Sequence, residues 1–130
     1  MPKKPKKKSI SKLKKEADKW FSLYIRNRDH GICISCGVQK AIKEMQCGHY
    51  IPRDRLATRY DEWNCHAQCV ACNIFKKGNM PAYTIGLMEK HGDNIIKELF
   101  RKSKKLKQMK IADYEELIET YKNNQKDFNS

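Results

Sequence analysis

The chain has 130 residues, enough for one domain or one small domain with tails, since two separate cores would each be marginal. Lys and Arg number 28 against 15 Asp and Glu, a formal charge of +13, while hydrophobic residues make up only 39%. A mean hydropathy of −0.86, with no apolar run near the roughly 18 residues a span needs, excludes a transmembrane helix, and the charge points to a polyanion.

The start, Met-Pro-Lys-Lys-Pro-Lys-Lys-Lys, reads as a disordered basic tail over residues 1–8. No apolar segment follows it, so no secretory signal is expected, and six cysteines then argue for a reducing compartment where Cys pairs read as metal ligands before disulfides. Over residues 9–30, Leu13, Ala17, Trp20, Phe21, Tyr24 and Ile25 form one stripe of an amphipathic helix. Ser9 or Ser11 caps it, and Asp29-His30-Gly31 stops it. Residues 31–80 hold every cysteine, with a short strand expected over Gln46–Arg53 and a short helix from the second knuckle through Asn73, Phe75, Lys76 and Lys77. Residues 81–130 read as a basic helical extension. Gly92 closes one helix and Asp93 caps the next, Arg101–Lys110 carries six basic residues, and Asp113 opens a last helix with a capping-box pattern.

Cys33/Cys36 and Cys69/Cys72 are two Cys-x-x-Cys pairs. Each can place two thiolates on one edge of a tetrahedral ion, and together they make a closed structural zinc site with no position left for water. Two pairs of identical spacing seldom arise by chance, so zinc outweighs a set of buried free cysteines.

Between and beside the knuckles stand Cys47-Gly48-His49-Tyr50-Ile51-Pro52-Arg53 and Asn64-Cys65-His66-Ala67-Gln68-Cys69-Val70-Ala71-Cys72-Asn73. His49, Asn64 and Asn73 fall at the offsets of the HNH nuclease motif. With Ala17-Asp18-Lys19-Trp20-Phe21-Ser22 before and basic helices after, residues 12–125 resemble the NinG (Rap) family of phage recombination proteins. The resemblance implies an α+β, mainly helical fold: a small zinc-stapled ββα-metal (HNH) core between an N-terminal helix and C-terminal helices. It also implies a structure-selective endonuclease acting on branched DNA such as Holliday junctions and D-loops, a homodimer for paired cuts, other recombination proteins as partners, and the bacterial host cytoplasm.

The residue types suit that chemistry. Phosphodiester hydrolysis needs an in-line water, a base and a cation at the leaving oxygen. His49 is the expected base, since an imidazole ordinarily titrates near 6.5. Asn73 offers a hard amide oxygen to Mg²⁺ or Mn²⁺, and His66 is a second ligand or phosphate contact. Asn64 orients His49 or its loop. Arg53, Lys76 and Lys77 hold phosphates near the cut, and Arg101, Lys102, Lys104 and Lys105 track DNA further out. HNH sequences usually carry an acidic metal ligand immediately before the first His; here that residue is Gly48. His66, Cys47, Asp54, or water and DNA phosphate are the expected substitutes.

Blander readings compete, beginning with Asn64 and Asn73 as turn or cap residues. A second closed site of Cys47, His49, Cys65 and His66 is disfavoured because Cys65 and His66 diverge on an extended chain. Cys47 and Cys65 are then small buried packers, His30 and His91 are helix-end residues without function, and Trp20 and Trp63 belong to the core. A non-catalytic zinc-knuckle DNA-binding module and a sequence-specific homing or restriction-like HNH nuclease are the alternative functions.

Overall fold

A computed structural model describes residues 8–128, with side chains through Gln125; the expected tail lies outside them apart from Lys8. In chain order come α1 (Ile10–Arg28), a 3₁₀ turn (Ile42–Glu44), β1 (Met45–His49), α2 (Leu56–Arg59) and β2 (Cys65–Cys69). A π-helical turn (Ala71–Phe75), α3 (Met80–His91), α4 (Ile95–Ser103) and α5 (Ile111–Phe128) follow. The architecture is mainly helical α+β with one two-stranded antiparallel sheet. Two compact units divide it: Ser22–Gln108, and the segments up to Phe21 and from Met109 onward. Among the described residues no helix is long and apolar enough to cross a membrane.

In α1 the expected stripe is realised by Leu13, Ala17, Phe21 and Ile25, all buried at a four-residue spacing. Ser9 Oγ accepts the Lys12 amide at 3.2 Å, which settles the cap. The helix ends where His30 and Gly31 turn left-handed and the Gly31 amide reaches back to the Arg26 carbonyl at 3.0 Å. A Cβ on Gly31 would also meet the Lys40 carbonyl oxygen at 2.2 Å. In the unit formed by the two outer segments, Phe21 packs edge-on against Tyr121 with ring centroids 5.0 Å apart. Trp20 is only partly buried, with the Lys19 and Lys122 ammonium groups 4.8 and 5.7 Å from its ring. Asp113 does not cap α5 from outside: its carboxylate accepts the Lys110 amide at 2.7 Å from within the first turn.

In the central unit β1 and β2 pair in the register Met45↔Cys69 through His49↔Cys65. The strand expected to run to Arg53 stops at His49. Pro52 has no amide to give, and the amide and carbonyl of Ile51 are both taken by the Asn64 side chain instead of a strand partner. Ile51 then packs with Tyr83, Leu87, Ile95 and Leu99, so α3 and α4 belong to the central unit. Residues from Met109 onward, with α5, fall in the other unit. Asn94, not Asp93, precedes α4. The basic run loses its helix after Ser103, where lysines repel at helical spacing and Leu106 is fully exposed.

Candidate functional site

The first knuckle is a tight turn: the Cys33 amide donates to the Val38 carbonyl at 2.9 Å and the Gly37 amide to the Cys33 carbonyl at 2.8 Å. The second pair straddles the exit from β2, with Cys69 at the strand end and Cys72 in the π-helical turn. All four sulfurs lie within 4.8 Å of one another, and Cys36 Sγ is 3.7 Å from Cys69 Sγ. Metal–sulfur bonds of about 2.3 Å imply a tetrahedron edge near 3.8 Å. Burial pushes the Cys33 thiol up, but backbone hydrogen bonds at Cys69, Cys36 and Ser35 outweigh it and hold it at about 7. Asn79 Nδ2 donates to Cys72 Sγ at 3.4 Å. These four cysteines could hold a structural zinc ion, with every position of the ion filled.

The opposite end of the same hairpin carries His49. Its Nε2–H donates to the Arg59 carbonyl at 2.9 Å, which leaves the Nδ1 lone pair as the accepting atom of the ring. The Arg59 segment is held in turn by Asn64, fully buried, whose amide bonds the Thr58 carbonyl at 3.0 Å and the Ile51 backbone at 2.8 and 3.1 Å. Asn64 thus positions the loop that positions His49 and does not itself bond the imidazole. Cys47, Cys65 and His49 share this face of the sheet, and their ligand atoms cluster within 4.8 Å. Cys65 is buried as expected, but Cys47 is only half-buried.

Gln46, Gly48, His66 and Gln68 occupy the other face, by the alternation of the strands. His66 is therefore not brought to His49. It is fully buried beneath α3, its Nδ1 3.2 Å from the Tyr83 hydroxyl and its Nε2 3.0 Å from His91 Nε2. Tyr83 donates its own proton to the Gly48 carbonyl at 2.8 Å, so its oxygen accepts from His66 Nδ1–H. Burial drives the His66 pKa down to about 3, and both its nitrogens are occupied. Asn73 does approach this face: its Nδ2 donates to Gln46 Oε1 at 2.6 Å, leaving the amide oxygen for other use.

Gly48 has a structural explanation that the sequence did not carry. A Cβ there would lie 1.9 Å from Gln68 Oε1. The Gln68 amide group fills the space of the missing side chain, with Nε2 bonded to Ser35 Oγ and the Gly78 carbonyl, each at 2.8 Å. Its Oε1 is buried and without a hydrogen-bond partner. Sequence reading missed this residue because Gln68 lies twenty positions from Gly48; only the strand register juxtaposes them.

It missed Arg28 and Asp29 for the same reason. Arg28 bonds the Glu62 and Cys65 carbonyls at 2.7 and 2.8 Å, and Asp29 accepts the Ala67 amide at 2.8 Å and Lys90 Nζ at 3.1 Å. Burial would raise the Asp29 carboxyl, but the adjacent Arg28 guanidinium outweighs it and holds the pKa below the ordinary value.

Of the expected phosphate contacts, Arg53, Lys76 and Lys77 are exposed in the central unit, as are Lys104 and Lys105. Arg101 is paired with Glu98. Lys102 reaches Asp61 at 3.2 Å and lies 5.5 Å over the Trp63 ring. Trp63 is not core: half of it is exposed, and it stacks on His91 with centroids 5.4 Å apart.

Comparison with known proteins agrees with the motifs. A family model described as "Bacteriophage Lambda NinG protein" matches residues 2–130. The protein ninG of Escherichia phage 933W is 37% identical over 89 residues, covering 65% of this chain and 43% of its own length. Those of Salmonella phage P22 and Escherichia phage lambda are 38% and 36% identical over 89 residues, again 65% of this chain and 42% of theirs. The chain thus spans less than half the length of these relatives. No solved structure matches it. With its paired knuckles, its His49 and Asn64 hairpin and a family match across nearly its whole length, this chain belongs to the bacteriophage NinG family.

Proposed function

We propose that this chain is a zinc-stapled, HNH-type DNA endonuclease that uses His49 as the general base and a divalent cation, Mg²⁺ or Mn²⁺. The observation that carries the reading is the placement of His49 at the end of the hairpin, its Nε2–H bonded to the Arg59 carbonyl so that Nδ1 is the basic atom of the ring. Asn64 supports it by pinning the loop that supplies that carbonyl, and the four cysteines by closing the other end of the hairpin. The hairpin followed by the short turn bearing Asn73 fits the ββα-metal arrangement.

Gln68 Oε1 is an orphaned buried oxygen in the space the usual acidic residue would fill, and the Asn73 amide oxygen is not its bonded atom toward Gln46. Amide oxygens suit Mg²⁺, which keeps most of its waters and takes few protein ligands. By the strand alternation Gln68, and Asn73 through Gln46, lie on the face opposite His49, so a cation shared with His49 would be held mainly by water and DNA phosphate, where it would stabilise charge on the leaving oxygen. Arg53, Lys76 and Lys77 would grip the flanking phosphates. A preference for branched recombination intermediates, and a homodimer that cuts two strands, come from the family resemblance.

The absence of a carboxylate at Gly48 favours a second reading, a zinc-knuckle module that binds DNA without cutting it. Incubating a four-way junction and its linear duplex arms with protein and Mg²⁺ or Mn²⁺ separates the two. Cleavage by wild type, with His49→Ala binding but cutting roughly 10²-fold more slowly or worse, is the expected result. Wild-type binding without cleavage of either substrate would leave only the binding module, and equal cutting of junction and duplex would remove the structural preference.

A further inference from the structure

We infer that the loop end of the hairpin is a second, soft-metal site made of Cys47, Cys65 and His49, and that a Zn²⁺ ion in it silences His49. Cys65 stands directly opposite His49 in the strand register, and Cys47 lies two residues before His49 on the same face. The two sulfurs and one ring nitrogen already lie within 4.8 Å of one another. Small side-chain rotations close such a cluster to bonds of about 2.0–2.3 Å. None of the six cysteines is tied up in a disulfide. His66, the fourth soft donor nearby in sequence, is turned to the opposite face. The site therefore has three protein ligands and one open position, unlike the closed cluster of Cys33, Cys36, Cys69 and Cys72. Two thiolates and an imidazole select Zn²⁺ or Cd²⁺ over Mg²⁺.

Metal on either ring nitrogen disables the base. Bound to Nδ1, it consumes the lone pair that would take the proton. Bound to Nε2, it displaces the Arg59 tether and leaves the one proton of the neutral imidazole on Nδ1. Zinc here would thus switch the enzyme off without dismantling the fold. This consequence rests on the nuclease reading above; the existence of the site does not.

Metal content tests the site without DNA. The full chain, saturated with Zn²⁺ or Cd²⁺ and freed of excess, should retain about two ions, and Cys47→Ser or Cys65→Ser about one. With Cd²⁺, wild type should give two ¹¹³Cd resonances, one in the four-sulfur range and one shifted by nitrogen ligation; this reading needs no variant to fold. One ion and one resonance in folded wild type would overturn the site. On DNA, a second equivalent of Zn²⁺ should lower Mg²⁺-dependent cleavage roughly 10²-fold in wild type and leave the two serine variants unaffected. Two bound ions with undiminished cleavage would overturn the silencing. Two ions in a protein that cuts nothing under any cation would sink the nuclease reading and leave the site standing.

Discussion

The two ends of one short hairpin are built on different principles. At the Met45–Cys69 end the chain is held by chemistry, four sulfurs in reach of one ion. At the His49–Cys65 end it is held by hydrogen bonds: Asn64 to Ile51 and Thr58, Arg59 to His49, and Arg28 to the Cys65 carbonyl. A closed thiolate cluster can fix a backbone yet offers no free coordination position for reaction. A hydrogen-bonded loop fixes an imidazole through Nε2–H and makes Nδ1 its basic atom. The proposed chemistry belongs to the end that the four cysteines do not close.

Removing the metal should have the largest effect. Structural zinc contributes on the order of 10 kcal/mol to small zinc modules, more than a domain of this size has to spare. Chelation, or Cys33→Ser, should therefore unfold the central unit, read as loss of helical circular dichroism recovered on adding Zn²⁺ to wild type. The loop end should fail more mildly. Asp29→Asn leaves the half-buried Arg28 without its carboxylate, with only the Glu62 and Cys65 carbonyls as partners, a loss of about 3 kcal/mol. Because the Asp29 pKa is depressed in the fold, that contribution is whole at neutral pH and is lost only as pH falls through the depressed value. The urea midpoints of mutant and wild type should accordingly be compared near pH 7, at equal zinc content. Asn64→Ala removes three buried hydrogen bonds and should cost about 3 kcal/mol with zinc content unchanged. A loss of zinc from Asn64→Ala would mean that the two ends are not independent.

What the sequence made legible follows the same division. Cys-x-x-Cys spacing encodes its own geometry, because the two ligands are local to one turn, so the closed end could be read directly. The α1 stripe was legible because helical period and burial coincide at Leu13, Ala17, Phe21 and Ile25. His49 and Asn64 stood out by motif, but their partners did not. The carbonyl that fixes His49 belongs to Arg59, and a backbone atom leaves no mark in a sequence. The expected company of His66 and His49 depended on register: one residue along a strand reverses the face, and His66 lies across from Gly48. Trp63 looked like core by composition, yet its ring lies flat on His91 at the surface.

The smallest expected effect is the most specific to the open end. Gly48→Ala places a methyl group on Gln68 Oε1, with the amide carbon at 2.5 Å and Cγ at 2.8 Å, so rotating the amide alone does not relieve the clash. The side chain must leave its bonds to Ser35 and Gly78, at a cost of about 1–3 kcal/mol. Gln68→Ala frees the same space and also removes the orphaned oxygen, so its own cost should be smaller than the loss of two hydrogen bonds alone implies. The double variant should then be more stable than the sum of the two single losses by about 1–2 kcal/mol, a coupling measurable by urea denaturation of all four proteins. Additivity would mean that Gln68 does not stand in the place of a residue 48 side chain. Coupling would place the Gln68 amide in the space of a residue 48 side chain, and under the proposed nuclease reading would make Gly48→Asp with Gln68→Ala the variant in which an acidic ligand is restored.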